Sequence, residues 1–245
     1  MNSSTSLVSH SLTGQSYGYS AAGLEDLGAT EYTLVIIIVD ESESTAHFKT
    51  EMEKCIQAAI ESCKVSPRSD YLMVRLVAFN HDMREVHGFK QLIDCNIADY
   101  DNCLSPGGST LLFESACNAI NATADYGKDL ADKDFDVNAI VFIITDGMDN
   151  ESGQINGASV GQSLKDAMMA EDLESIMSVL IGVGVNGGVG TYLTSFQTDA
   201  GMSQYVELKD ADEKTLAKLG GFISQSVSSQ SSSLGTGGPS QTLNF

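Results

Sequence analysis

"TLVIIIVDESES", residues 33–44, joins a purely apolar run to a cluster of acids and serines. Leu34 to Val39 is an unbroken apolar run, almost all of it β-branched. A run that short and that continuous is the pattern of a strand buried on both faces. It stops at Asp40, after which Ser42 and Ser44 fall at every second position. Oxygen donors at that spacing, on a turn that leaves a strand, are how a chain grips a hard cation.

Working outward, Phe48, Met52, Cys55, Ile56, Ala59 and Cys63 recur at three- and four-residue steps and predict a helix with one apolar face. "YLMVRLVAFN" (71–80) predicts a second strand, and "MREVHGF" (83–89) follows closely enough to form a hairpin with it. "CLSPGGST" leads into a helix from about Leu111 to Tyr126. "VNAIVFIITDG" (137–147) is the next buried strand. Then come a helix over about Val160–Leu173, the strand "SIMSVLIGVGV", a short helix near Thr191–Thr198, the strand "QYVELK" and a helix from Asp212 to about Val227. Strands alternating with helices predict an α/β fold: a doubly wound, mostly parallel sheet with helices on both faces and one antiparallel edge strand from the hairpin. Three segments result: a polar N-terminal arm (1–30), one domain (31–227) and a flexible Ser/Gly-rich tail (228–245).

Bulk properties narrow the function. Thirteen basic against thirty-three acidic residues give a net charge of −20, which repels phosphate backbones and argues against nucleic acid as a partner. Five cysteines are an odd number without a C-x-x-C pair, so neither a disulfide framework nor a zinc site is expected, and a reducing compartment is. The first twenty residues lack a basic and an apolar signal region, and no apolar run approaches the roughly 20 residues that span a bilayer. The expectation is a cytoplasmic protein with no membrane partner.

Asp40 and Asp146 each end a predicted strand. In a doubly wound sheet, ligands bind beyond the carboxyl ends of the strands, where the strand order reverses. If these two strands flank the reversal, both carboxylates face one crevice. The Gly107–Gly108 pair then lets a third loop approach and present Ser109 or Thr110. Carboxylates and hydroxyls without sulfur or imidazole suit Mg²⁺, with Mn²⁺ or Ca²⁺ as alternatives.

"DESES", "PGGSTLLFES" and "IITDGMDN" together resemble the three segments of the metal-ion-dependent adhesion site of von Willebrand factor A domains. The resemblance runs from about Glu31 to Val227 and implies a metal held by Asp40, Ser42, Ser44, Thr110 and Asp146. It also implies that an Asp or Glu of a protein partner completes the metal shell, and that the activity is recognition rather than catalysis. Family analogy adds an AAA+ ATPase or another multiprotein assembly as the partner. The family often keeps Gly where Glu43 stands here, so Glu43, Ser109 and Gly147 form the expected partner-facing rim. Glu43 reads as pointing to solvent, with repelling an acidic ligand, favouring a larger or tighter-bound cation, or folding over the metal as a plug as its alternatives. Glu41, at a variable position, reads as solvated, and Asp149 and Asn150 read as turn caps, with hydrogen bonds behind the ligands as the alternative.

Other readings fit less well. An EF-hand loop counted from Asp40 has Thr45 where Gly is required and is preceded by a strand. A haloacid-dehalogenase-type phosphatase needs an acid where Ser42 stands. "GVGVNGGVG" (182–190) contains G-x-G-x-x-G, but only one strand and one helix follow it. His10, His47, His81 and His87 have no evident nucleophile to serve. A protein-binding adaptor is therefore the leading expectation, a structural subunit of a particle or filament the second, and a phosphatase-like enzyme the third.

Overall fold

The computed structural model describes residues 6–236 and 240–245. The first five residues of the expected arm, and residues 237–239 of the expected tail, lie outside the described residues.

Two short strands open the chain, β1 (Leu7–His10) and β2 (Tyr19–Ala22). The first long strand, β3 (Glu31–Asp40), is buried from its second residue to its last, as its apolar run requires. A 3₁₀ turn over Glu43–Phe48 leads into α1 (Lys49–Lys64). The predicted hairpin forms from β4 (Leu72–Phe79) and β5 (Met83–Gln91), paired antiparallel. Then follow α2 (Leu112–Ala131), β6 (Asp136–Thr145), α3 (Gly157–Met169), β7 (Ile176–Val183), α4 (Gly188–Ala200), β8 (Gln204–Leu208) and α5 (Glu213–Thr236).

The strands form one sheet in the order β1-β2-β5-β4-β3-β6-β7-β8. β3 pairs in parallel with β4 on one side and with β6 on the other, so the chain reverses its winding between β3 and β6. Alternate β3 side chains feed two cores. Leu34, Ile36 and Ile38 pack with α2, α3 and α4, while Val35, Ile37 and Val39 pack with α1 and α5. Each such aliphatic side chain contributes about 1.5–3 kcal/mol on burial, which is why β3 lies at the centre.

The hairpin supplies the expected antiparallel strand, but the sheet continues past it. β2 joins parallel to β5, and β1 lies antiparallel to β2 at the outer edge. Gly88 makes this approach feasible, because a Cβ there would lie 2.1 Å from Ser20 O. Tyr19, Ala21 and Ala22 are buried, and the Tyr19 hydroxyl donates to Asp125 Oδ2 at 2.8 Å. Leu7–His10 and Tyr19–Ala22 of the expected arm are thus strands of the sheet.

The tail differs from expectation as well. α5 does not end near Val227 but continues to Thr236 through "SSQSSSLGT". Several of its polar groups find partners within the domain. Gln230 Nε2 donates to Ala139 O at 3.1 Å, and Asn138 Nδ2 donates to Gln230 O at 2.8 Å. Arg68 Nε donates to Ser231 Oγ at 3.0 Å. Residues 240–245 return over the domain, where Gln204 Nε2 donates to Leu243 O at 2.8 Å and Phe245 meets Phe222 edge-on. All five cysteines are buried and free. Among the described residues, no helix is long and apolar enough to cross a membrane.

Candidate metal centre

Asp40 and Asp146 leave the carboxyl ends of the adjacent strands β3 and β6, at the reversal of strand order. Asp40 is buried, and both its oxygens are engaged. Oδ1 accepts from Ser42 N at 2.8 Å, and Oδ2 accepts from the Thr145 hydroxyl at 2.6 Å. The 3₁₀ turn over residues 43–48 swings the two serines over the carboxylates. Ser42 Oγ lies 3.2 Å from Ser44 Oγ, and the Ser44 hydroxyl donates to Asp146 Oδ1 at 2.9 Å. A continuous hydrogen-bonded path therefore links Asp40, Ser42, Ser44 and Asp146.

Thr110 arrives from the Gly-rich loop. Gly108 has φ +76°, a conformation open to glycine, and a Cβ there would strike the His81 ring. Three hydrogen bonds fix the threonine. Its N–H donates to Asn150 Oδ1 at 2.7 Å, Asn150 N returns a bond to Thr110 O at 3.1 Å, and Leu111 N donates to Asn80 O at 2.7 Å. Thr110 Oγ1 lies 3.9 Å from where a Gly147 Cβ would stand, placing the hydroxyl beside the turn that carries Asp146. The structure thus gathers all five predicted donors at one end of the sheet.

Burial raises the Asp40 carboxyl to about 6 against the pull of the Thr145 and Ser42 hydrogen bonds, with nearby Asp146 adding a smaller push upward. Asp146 is also raised, chiefly by burial, with the Ser44 bond opposing. Two carboxylates withdrawn from water are short of positive charge. The donor set fits a divalent cation: hard oxygens, two of them anionic groups, supported by buried hydroxyls. Among the described residues there is no group of three or more His, Cys, Asp or Glu suited to a metal, so the cation would depend on the hydroxyls.

The rim residues are placed as follows. Glu43 is exposed, and its N–H donates to Gly108 O at 3.2 Å. Ser109 is part-buried and its hydroxyl donates to Glu151 Oε2 at 2.6 Å; Gly147 is part-buried as well.

Three residues act differently from their sequence reading. Asn150 is the brace of Thr110 rather than only a turn residue. Asp149 caps a helix from outside it. Helix α2 has no side-chain cap of its own, and Asp149 Oδ1 accepts from Phe113 N at 3.2 Å while Ser152 Oγ accepts from Glu114 N at 3.1 Å. Glu41 does not face solvent. It is 4% exposed, and its Oε2 accepts from Arg84 Nη2 at 2.8 Å and Ser105 N at 2.7 Å. A charge at an alternating loop position gives no local sign of such a partner, which stands 43 residues away.

The von Willebrand factor type A domain profile matches residues 35–221. The chain belongs to this family. Domains of the family are in general modules of protein–protein interaction. No curated protein matches the sequence. Among solved structures, a D319A mutant of the PilB minor pilin from Streptococcus sanguinis is 15% identical with a TM-score of 0.61, covering 89% of this chain and 66% of the pilin. The pilus adhesin SpaC from Lactobacillus rhamnosus GG, in an open conformation, is 9% identical with a TM-score of 0.56, covering 91% of this chain and 33% of SpaC. Proximal thread matrix protein 1 from the mussel byssus, with a zinc-occupied MIDAS motif, is 15% identical with a TM-score of 0.53, covering 82% of this chain and 47% of that protein. At these identities the likeness is one of fold, and this von Willebrand factor type A chain spans less than two thirds of each of the three.

Proposed function

We propose that the chain is a protein-binding domain centred on a Mg²⁺ site, with Asp40, Ser42, Ser44, Thr110 and Asp146 as the residues that hold the ion. Mn²⁺ or Ca²⁺ would satisfy the same oxygens. The observation that carries this reading is the hydrogen-bonded path from buried Asp40 through Ser42 and Ser44 to Asp146, at the reversal of strand order. A bound divalent ion would supply a Lewis-acidic point to which a carboxylate of a protein partner attaches.

The chain's own residues prepare that attachment. Thr145 and the Ser42 amide hold Asp40 in place, and Asn150 holds Thr110. Ser44 and Asp146 stand nearest the surface, Ser44 exposed and Asp146 part-buried. The same arrangement speaks against a phosphatase. An Asp40 nucleophile would have to reach a substrate phosphorus directly, whereas Asp40 is 3% exposed behind the first loop.

Glu43 on the rim adds negative charge beside the point of attachment, so the partner's acid is best flanked by neutral or basic residues. The five buried free thiols suit a reducing compartment. A second reading, a subunit of an assembled fibre, draws support from the pilin and byssal-thread proteins that share the fold. An adaptor for an AAA+ ATPase is the alternative partner class within the first reading.

Capture from a lysate tests the main reading. Binding of a partner in Mg²⁺, lost in chelator and lost in Asp146→Ala, is expected. Self-assembly that persists in chelator would favour the fibre subunit instead.

A further inference from the structure

We propose that Glu41 is a positioning residue of the metal centre, acting as a latch that holds the Gly-rich loop, and with it Thr110, against the first loop. This rests on the metal-site reading above. The carboxylate is buried immediately after Asp40 and fastens three segments at once. It belongs to the loop that carries Ser42 and Ser44. Its Oε2 accepts from Arg84 Nη2 of β5 at 2.8 Å and from Ser105 N of the Gly-rich loop at 2.7 Å. Arg84 Nη2 also donates to Cys103 O at 2.8 Å, so the same guanidinium grips the root of that loop.

The backbone carries the latch toward the site. Gly107 N donates to Glu41 O at 2.9 Å, and Glu43 N donates to Gly108 O at 3.2 Å. The loop is therefore sewn to both sides of Ser42 before it reaches Thr110. Side-chain burial fits this role: Glu41 is 5% exposed and Arg84 45% exposed, so the arginine keeps solvent contact while the carboxylate depends on its partners. A buried carboxylate without partners is unfavourable, and this one is placed where its loss releases the loop.

Thr110 contributes an uncharged hydroxyl, a weak ligand whose value depends on being held in place beforehand. Residues that orient metal ligands without touching the metal typically account for about tenfold to a hundredfold in affinity. Glu41 does so through the loop, and Asn150 does so from the opposite side of Thr110.

The test uses the full chain and Mn²⁺ alone, titrated by calorimetry and by electron paramagnetic resonance, with a double-mutant cycle between Glu41 and Thr110. Glu41→Ala is expected to weaken Mn²⁺ binding by about tenfold or more, and Thr110→Val to weaken it as well. In the Thr110→Val background, Glu41→Ala should cost less than about twofold, since the hydroxyl it positions is gone. Amide hydrogen exchange without metal provides an independent reading. Glu41→Met, which keeps the side-chain length but removes both acceptor oxygens, should speed exchange at Ser105 and Gly107 while leaving strands β3 and β6 protected. Equal losses from Glu41→Ala in both backgrounds, or unchanged exchange in the loop, would overturn the latch while leaving the metal site standing. Failure of the wild-type chain to bind Mn²⁺ would overturn both.

Discussion

The Thr145 hydroxyl donates to Asp40 Oδ2 at 2.6 Å, so the last residue of β6 fixes the carboxylate that ends the neighbouring strand β3. The two strands are in register over residues 31–39, which brings their carboxyl ends level. A carboxylate held this way would not have to be ordered for the proposed cation. Thr145→Val removes the donor and keeps the shape. We expect a loss of about 1–3 kcal/mol in denaturant unfolding and metal affinity lower by about tenfold, measured by calorimetry.

Asp149 links the site to the scaffold. Its carboxylate accepts from Phe113 N in the first turn of α2 and from both the N–H and the hydroxyl of Ser152, which itself accepts from Glu114 N. Asp149→Ala leaves the start of α2 without this cap. A loss of about 1–2 kcal/mol is expected, with faster amide exchange at Phe113 and Glu114.

His87 gives the chain an acid-sensitive element outside the proposed metal site. Its Nδ1 lies 2.9 Å from Gly88 O, an acceptor, so Nδ1 carries the proton and Nε2 accepts from the Tyr100 hydroxyl at 3.0 Å. Burial, with Lys90 adding repulsion, lowers its pKa to about 4. The unfolded chain takes up this proton near pH 6.5 and the folded chain only near 4. Its contribution to stability is therefore present above pH 6.5 and lost as pH falls toward 4, about 3 kcal/mol in full. Asp40 acts in the opposite sense over about pH 4–6, since its folded pKa is raised. Comparing His87→Phe with wild type by urea unfolding at several pH values cancels that term. The variant should lose less stability on acidification; identical pH profiles would refute the role.

Glu43 stands exposed where the family often keeps glycine. An exposed like charge weakens attachment of a partner carboxylate only modestly and is screened by salt. Glu43→Gly should strengthen Mg²⁺-dependent binding of an acidic peptide by about two- to fivefold at low salt, with the gain shrinking at high salt.

The residues of the proposed metal site, which the structure brings to one end of the sheet, stand out in the sequence because they sit in local patterns. The apolar run into Asp40, the T-D-G turn at Asp146 and the Gly-Gly approach to Thr110 are each readable within a dozen residues. What escaped depends on partners distant in the chain. Glu41 looks solvated until Arg84 and Ser105 are beside it. The Ser- and Gln-rich end of α5 looks like a flexible tail until Asn138, Ala139 and Ser175 accept and donate its hydrogen bonds. β2 is only four residues long, Tyr-Ser-Ala-Ala, with no run of β-branched residues to mark it, and its place in the sheet rests on Gly88. Local hydropathy reports which residues avoid water; it is silent on polar groups that find one another.

Everything proposed for this site depends on Asp40 and Asp146 jointly holding a divalent ion. Calorimetric titration of Mn²⁺ into wild type and Asp146→Ala tests it most directly, alongside circular dichroism to confirm that both are folded. One site is expected in wild type and none measurable in a folded Asp146→Ala. Equal affinity in the two proteins would contradict it.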